Sequence, residues 1–286
     1  MNSYKSKGKA PQNREAPTDK CSRREAIGRI GGLALYPLIN GLLPKISGSK
    51  KFKKEVKSFK IGDTKIKLLI FSKGNSKVTY FAPHANELDS FKAAKKMINK
   101  HGGRLIAFSN KYRQISFSLG DKKYAFNANR CFSDEGIKTT LEKWGQNEKY
   151  VGYSEEAHEA VRQFAKSLIK ELLANQPGTI VGVHNNLNGE KLAEKEMDIG
   201  DIHSNPEHDS DDFFLVIDKK HFDYLKNKNY NVILESEDAD DDGSFSVYCR
   251  ENCIPYVNVE AEYGHLKEQM VMLKELREMI KQLHDI

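Results

Sequence analysis

The 286 residues are enough for one large domain or two small ones, and a hydrophobic content of 38% supports a core. The formal charge is +6, yet residues 1–60 hold 15 Lys/Arg against 4 Asp/Glu, while the remainder holds 31 against 36. The basic character therefore belongs to the N-terminal segment. The net-acidic body has no basic stripe with interleaved aromatics, which excludes nucleic acid as its partner.

In chain order, residues 1–57 are expected to be an export signal followed by a basic linker. Arg23 and Arg24 sit side by side, ahead of an uncharged run of 14 residues from Ile30 to Leu43. That run is shorter than the ~20 residues a membrane span needs, and it suits a signal's apolar region. Paired arginines, a long basic leader and a mildly apolar run resemble a twin-arginine signal. The expected location is the periplasm, or the cytoplasm if the tail is not a signal. No stable membrane span is expected, and the sequence does not give the oligomeric state.

The body, residues 58–286, alternates strand and helix patterns. Strands are expected at 65–71, 77–81, 104–109, 179–184, 213–217, 231–234 and 255–262. A hairpin is expected from 114–119 and 123–126 around Gly120-Asp121. Helices are expected at 88–101, 135–144, 155–174, around 221–226, at 244–251 and at 266–284. The order implies an α/β fold with a mixed, largely parallel central sheet and helices on both faces. Binding groups in such sheets gather beyond the carboxyl ends of the strands. His84, His184 and Glu262 each stand at such an end.

Zinc takes imidazole and carboxylate ligands, and a catalytic site uses three of them with one position left for water. His84 and Glu87 in "PHANE", with the distant His184 in "TIVGVHNN", are the right types in the right number for a single zinc. Of the four cysteines, Cys21, Cys131, Cys249 and Cys253, only the last two lie close in sequence, and no second pair matches their spacing. They read as buried free thiols rather than a zinc knuckle.

Four stretches resemble the zinc carboxypeptidase superfamily, most closely its succinylglutamate desuccinylase/aspartoacylase branch, and they follow that branch's order. "PHANE" looks like its H-G-N-E, which implies His84 and Glu87 as ligands. "NANRCF", residues 127–132, looks like its N-R-x-F element, implying Asn129 and Arg130 as a substrate-carboxylate clamp. "TIVGVHNN" is similar to the strand of the third ligand, His184. "YVNVEAEYG", residues 256–264, looks like the late strand whose E-x-G carries the catalytic carboxylate. The resemblance spans about residues 60–264. Ala85 departs from the usual glycine, and Glu260 competes with Glu262 because both point to one face of the strand. Glu262 is chosen because Glu-Tyr-Gly fits E-x-G.

The resemblance implies a zinc-dependent amide or peptide hydrolase of carboxypeptidase or N-acyl amino acid deacylase type. Its substrate would be a small peptide or acyl-amino acid with a free carboxylate. Glu262 would act as general base, and Arg113 would stabilise the oxyanion, with Lys122 and Lys123 as alternatives. The competing reading is an exported, non-catalytic binding protein on the same fold. "DIHSNPEHDSDDFF", residues 201–214, reads as a polar lid that shapes the pocket, with Asn205 and Asp212 as substrate contacts and a second metal as the rival reading. "DADDDGS", residues 238–244, mimics a calcium loop, but its twelfth position is Cys249 where glutamate is needed. A helix-capping acidic turn accounts for it. His101, His158, His221 and His284 read as surface residues.

Overall fold

The computed structural model describes residues 51–187 and 200–284. The expected export signal lies outside the described residues. Eleven strands and six helices follow one another: β1 (Lys53–Ile61), β2 (Thr64–Lys73), β3 (Val78–Ala82), α1 (Leu88–His101), β4 (Gly103–Phe108), β5 (Gln114–Leu119), β6 (Lys122–Asn127), α2 (Asp134–Gly145), α3 (Glu155–Leu172), β7 (Thr179–Asn186), β8 (Gly200–His203), β9 (Phe213–Val216), α4 (Lys219–Asn227), β10 (Val232–Glu235), α5 (Phe245–Glu251), β11 (Tyr256–Glu262) and α6 (Leu266–His284).

Nine strands form one mixed sheet in the order β1-β2-β4-β3-β7-β11-β9-β10-β8, and β5 pairs only with β6. The centre, β4-β3-β7-β11, is parallel, and the antiparallel pairings lie towards the edges. The centre carries the most apolar runs. All five residues of β3 and all eight of β7 are buried, as expected for parallel strands covered on both faces.

The alternation along each strand divides the core in two. Ile180 and Tyr256 point to one face, where Ile137 and Leu141 of α2, Phe164 and Leu168 of α3 and Phe245 of α5 pack. Val181, Val183, Val257 and Val259 point to the other, against Met97 of α1, Phe222 of α4 and Leu273 and Leu276 of α6. Helices thus cover both faces of the sheet, and the expected architecture holds. Among the described residues, no helix is long and apolar enough to cross a membrane.

Two strands escaped the sequence patterns. Residues 53–57, read as linker, begin β1, which pairs antiparallel with β2 along its whole length. It is an edge strand studded with Lys53, Lys54, Lys57 and Lys60, a charge pattern that blocks edge-to-edge association while hiding the period-two apolar signal. Residues 201–203, read as loop, belong to β8, a four-residue edge strand on β10. Two histidines read as surface residues are buried, His158 and His221. Cys131 and Cys249 are buried free thiols, as expected, but Cys253 is half-buried and disulfide-bonded, which corrects the free-thiol reading at that position.

The acidic turn 238–243 is a capping device. Asp241 Oδ1 accepts from Ser133 Oγ at 2.7 Å and from Gly243 N at 3.0 Å. Ser133 and Ser244 are the N-caps of α2 and α5. The turn comes so close to α2 that a Cβ on Gly136 would stand 2.2 Å from Gly243 Cα. Only a pair of glycines fits there.

Candidate metal centre

Three chain segments deliver the ligand-type side chains. β3 ends in a fully buried stretch, and the turn through Pro83 carries His84 off the sheet's carboxyl edge. Glu87 is the N-cap of α1, yet its side chain makes no capping hydrogen bond. An N-cap side chain normally accepts from the N2 or N3 amide. Here Asn185 of β7 takes that duty: its Oδ1 accepts from Ser90 N at 2.8 Å. Glu87 is therefore released to face the two imidazoles. His184 projects from β7, and its backbone carbonyl accepts from Gln269 Nε2 at 2.8 Å.

The three side chains converge and are almost fully withdrawn from solvent, with His84 2%, Glu87 1% and His184 3% exposed. His84 Nδ1 lies 2.7 Å from Glu87 Oε1 and 3.2 Å from His184 Nδ1. His184 Nδ1 lies 3.2 Å from Glu87 Oε2. Ligand atoms bound ~2.0–2.1 Å from a tetrahedral zinc would stand about 3.3 Å apart. The observed edges come close to that figure. The chemistry also fits: two nitrogens facing each other at this distance cannot both carry protons, and a shared cation would engage both lone pairs.

The second nitrogen of His84 completes the case. Its Nε2 lies 2.8 Å from Asn127 Oδ1. That oxygen also accepts from Asn129 N at 2.8 Å, so it is the carbonyl oxygen of the amide, and His84 Nε2 must donate to it. The Nδ1 lone pair is then left for the ligand position, the arrangement by which metal-bound histidines are oriented. Sequence reasoning missed Asn127, although it opens the quoted "NANRCF" stretch. It ends β6, whose hairpin packs Phe117, Tyr124 and Phe126 into the core.

Electrostatics tie the trio together. Burial pushes the Glu87 carboxyl up, but the charges and hydrogen bonds of His184 and His84 overcome it and hold it below the ordinary carboxylate range. Burial lowers His84, against the pull of Glu87. Arg113, just before β5, contacts Glu87 Oε1 with its guanidinium, and its side chain is 45% exposed. The structure therefore brings four of the expected residues, His84, Glu87, His184 and Arg113, into one cluster.

Arg130 and Asn129 lie on the same hairpin exit. Arg130 NH2 pairs with Asp242 Oδ2 at 3.2 Å, and Asn129 Oδ1 accepts from Phe245 N at 3.2 Å. Burial raises Glu235 and Tyr256, and the Arg130 charge weakly opposes it at both.

The two glutamates of β11 occupy different surroundings. In the parallel ladder, Glu260 is the register partner of His184, and Glu262 is the partner of Asn186. Register partners share a face and lie ~4.8 Å apart, and two residues along the strand add roughly 6.6 Å. Glu260 is therefore the glutamate beside the ligand histidine, and it accepts from Asn258 Nδ2 at 3.0 Å. Glu262 stands at the strand exit, 3.7 Å from His265 Nε2.

Asp212 and Asn205 hold loops. Asp212 Oδ1 accepts from Glu262 N at 2.9 Å, and its Oδ2 pairs with His265 Nδ1 at 3.1 Å. Asn205 is buried after the edge strand β8. Its Nδ2 donates to Asn229 O at 2.9 Å, and its Oδ1 accepts from Glu207 N at 3.0 Å. Both ends of its amide are engaged on loop backbone.

Comparison with known proteins gives a likeness only among solved structures. No family model matches the chain, and no curated protein matches it. An aspartoacylase family protein from Mesorhizobium loti is 14% identical, with a TM-score of 0.42 over 82% of this chain and 68% of its own. A gene product from Agrobacterium tumefaciens is 9% identical, with a TM-score of 0.41 over 73% and 89%. A metallo-carboxypeptidase from Burkholderia cenocepacia is 9% identical, with a TM-score of 0.39 over 79% and 65%. Likenesses this low transfer no residue role, and the site stands on its own geometry.

Proposed function

We propose that the chain is a zinc-dependent amide hydrolase acting on a small peptide or N-acyl amino acid with a free carboxylate. The observation that carries this reading is the buried trio His84, Glu87 and His184, whose donor atoms stand at coordination spacing with the His84 tautomer fixed by Asn127. Zinc held there would polarise a scissile carbonyl and acidify a water.

The chain's own groups supply the remaining roles. Glu260, beside His184, takes a proton from the attacking water and returns it to the leaving nitrogen, with Glu262 as the competing assignment. Arg113 offers a fixed positive charge to the oxygen that becomes anionic. Arg130 presents a planar fork to a substrate carboxylate, which would replace Asp242 as its partner. Asp212 and His265 fix the exit of β11 and so the aim of its glutamates.

Metal content and turnover on a panel of N-acyl amino acids and short peptides test this. Wild type should bind about one zinc per chain and hydrolyse a member of the panel. Glu260→Gln should keep the zinc and lose turnover by roughly 10²-fold or more. A fully active Glu260→Gln with an inactive Glu262→Gln would hand the base to Glu262. Unchanged zinc binding in His84→Ala/His184→Ala would end the proposal.

We also propose export of the protein, supported by Arg23-Arg24 and the 14-residue uncharged run that follows. Loss of export of a reporter fusion on Arg23→Lys/Arg24→Lys is the expected result, and unaffected export rejects it.

A further inference from the structure

On the face of the sheet that α1 and α6 cover, the β1–β2 edge lies beyond α1 and is open among the described residues. Register and alternation determine which side chains it presents. Lys54, Val56, Ser58 and Lys60 of β1 pair with Phe71, Leu69, Lys67 and Lys65 of β2. The other parity of β2, Ile66, Leu68 and Ile70, is buried in the core of the opposite face. The open face therefore has an aliphatic middle, Val56 at 50% exposure and half-buried Leu69, framed by lysines. No acidic side chain occurs at these eight positions.

Where this face meets α1 it becomes more basic still. Lys54 and Lys95 lie over the Phe71 ring at 5.8 and 5.1 Å. Phe52, Lys92, Lys95, Lys96 and Asn99 line an adjoining groove of about 510 Å³. Lys92 pairs with Asp89 at 3.0 Å.

We propose that this face docks the protein on an anionic phospholipid bilayer. Lysines around an exposed aliphatic centre suit a headgroup layer: the ammonium groups reach phosphates while Val56, Leu69 and Phe52 settle at the acyl boundary. A nucleic acid would pay to cover that aliphatic centre. The Phe71 ring beneath the lysines is only 4% exposed and offers no stacking surface to a base. The uncharged Ile30–Leu43 run lies eight residues upstream of Phe52 in the chain, with Lys45, Lys50 and Lys51 between them. Those lysines continue the basic character of the face along the chain. His184 and Glu260 project from the opposite face of the sheet, since they share the parity of Ile180 and Tyr256. Docking leaves the candidate centre uncovered.

The test is partition of the full chain onto phosphatidylcholine vesicles with and without phosphatidylglycerol, for wild type and for Lys54→Glu/Lys67→Glu/Lys95→Glu. The N-terminal segment is identical in both, so its own binding cancels. Each lysine near an anionic surface contributes about fivefold, so the triple change should lower partition by about 100-fold or more, and wild-type binding should weaken with salt. Val56→Asp, with an unchanged unfolding midpoint, should weaken it independently. Equal wild-type binding to neutral and anionic vesicles overturns the proposal. So does undiminished binding of the triple variant, or binding to duplex DNA with none to vesicles.

Discussion

Asn127 makes the sharpest demand on the proposed centre. Replacing it with alanine removes the acceptor 2.8 Å from His84 Nε2. The ring is then free to move its proton to Nδ1, where Glu87 Oε1 waits 2.7 Å away as a ready acceptor. The tautomer that binds no metal becomes the favoured one, and zinc must displace that proton before it can bind. Loss of such an orienting partner costs ~10- to 100-fold in metal affinity, or about 1.4–2.7 kcal/mol. Asn127→Asp keeps an acceptor in place and adds negative charge, so its affinity should match or exceed wild type. Competition against a chromogenic chelator measures both variants. The unfolding midpoints of the metal-free proteins should be compared alongside, because Asn127 also anchors Asn129 N. If Asn127→Ala binds zinc as tightly as wild type, His84 does not ligate through Nδ1 and the argument from tautomer and spacing fails.

Gly182 stands where a Cβ would meet the Tyr256 hydroxyl at 2.2 Å and Asn258 Oδ1 at 2.9 Å. Gly182→Ala should therefore destabilise by ~1–3 kcal/mol as an overpacked site, read as a drop in thermal midpoint. Adding Tyr256→Phe should recover part of that loss, and strict additivity of the two changes would refute the clash. Burial lowers the His265 pKa, but the Asp212 hydrogen bond and charge outweigh it, leaving the imidazole raised above its ordinary 6.5. Its stabilising contribution is complete below pH 6.5 and disappears as pH rises through the elevated folded value. Wild type should lose up to about 1 kcal/mol against His265→Gln over that rise in urea titrations, and parallel pH profiles would contradict it. Asp242→Asn releases Arg130 from its partially exposed pair. It should lower KM for carboxylate substrates a few-fold at under about 1 kcal/mol in stability, and an unchanged KM would remove Arg130 from substrate binding.

The buried half of the fold was legible because burial writes itself into sequence. β3 and β7 are continuous apolar runs, and α1 carries Ala94, Met97 and Ile98 on one side with Gly102-Gly103 as its stop. The edges were not legible. β1 exchanges apolar alternation for lysines, and β8 is too short and polar to register, so both look like connecting chain. His84, Glu87 and His184 were legible as residue types at strand ends. Their partner Asn127 was not, because a single asparagine after a hairpin carries no signal until the hairpin's docking is known. The choice between Glu260 and Glu262 turns on a related point. Alternation says that both face one way, and only the interstrand register says which one adjoins His184.

The trio also conflicts with ordinary protein design, and the conflict is informative. Glu87 Oε2 is buried with His184 Nδ1 3.2 Å away and no well-aligned hydrogen bond, a condition that costs roughly 1–3 kcal/mol. Behind them, the amides of Asn185 and Gln269 are paired at both ends. Asn185 donates to Ala261 O at 3.2 Å and to Gln269 Oε1 at 3.3 Å, while its own oxygen caps Ser90. Gln269 is fully buried and returns a bond to His184 O. α1, β7, β11 and α6 are thereby locked together by saturated amides directly behind two histidines and a glutamate whose lone pairs oppose one another. A framework that satisfies its supporting amides yet leaves the donor atoms in front of them facing each other is built for an additional positive charge at that point. Removing the support should therefore act on the metal before it acts on the fold.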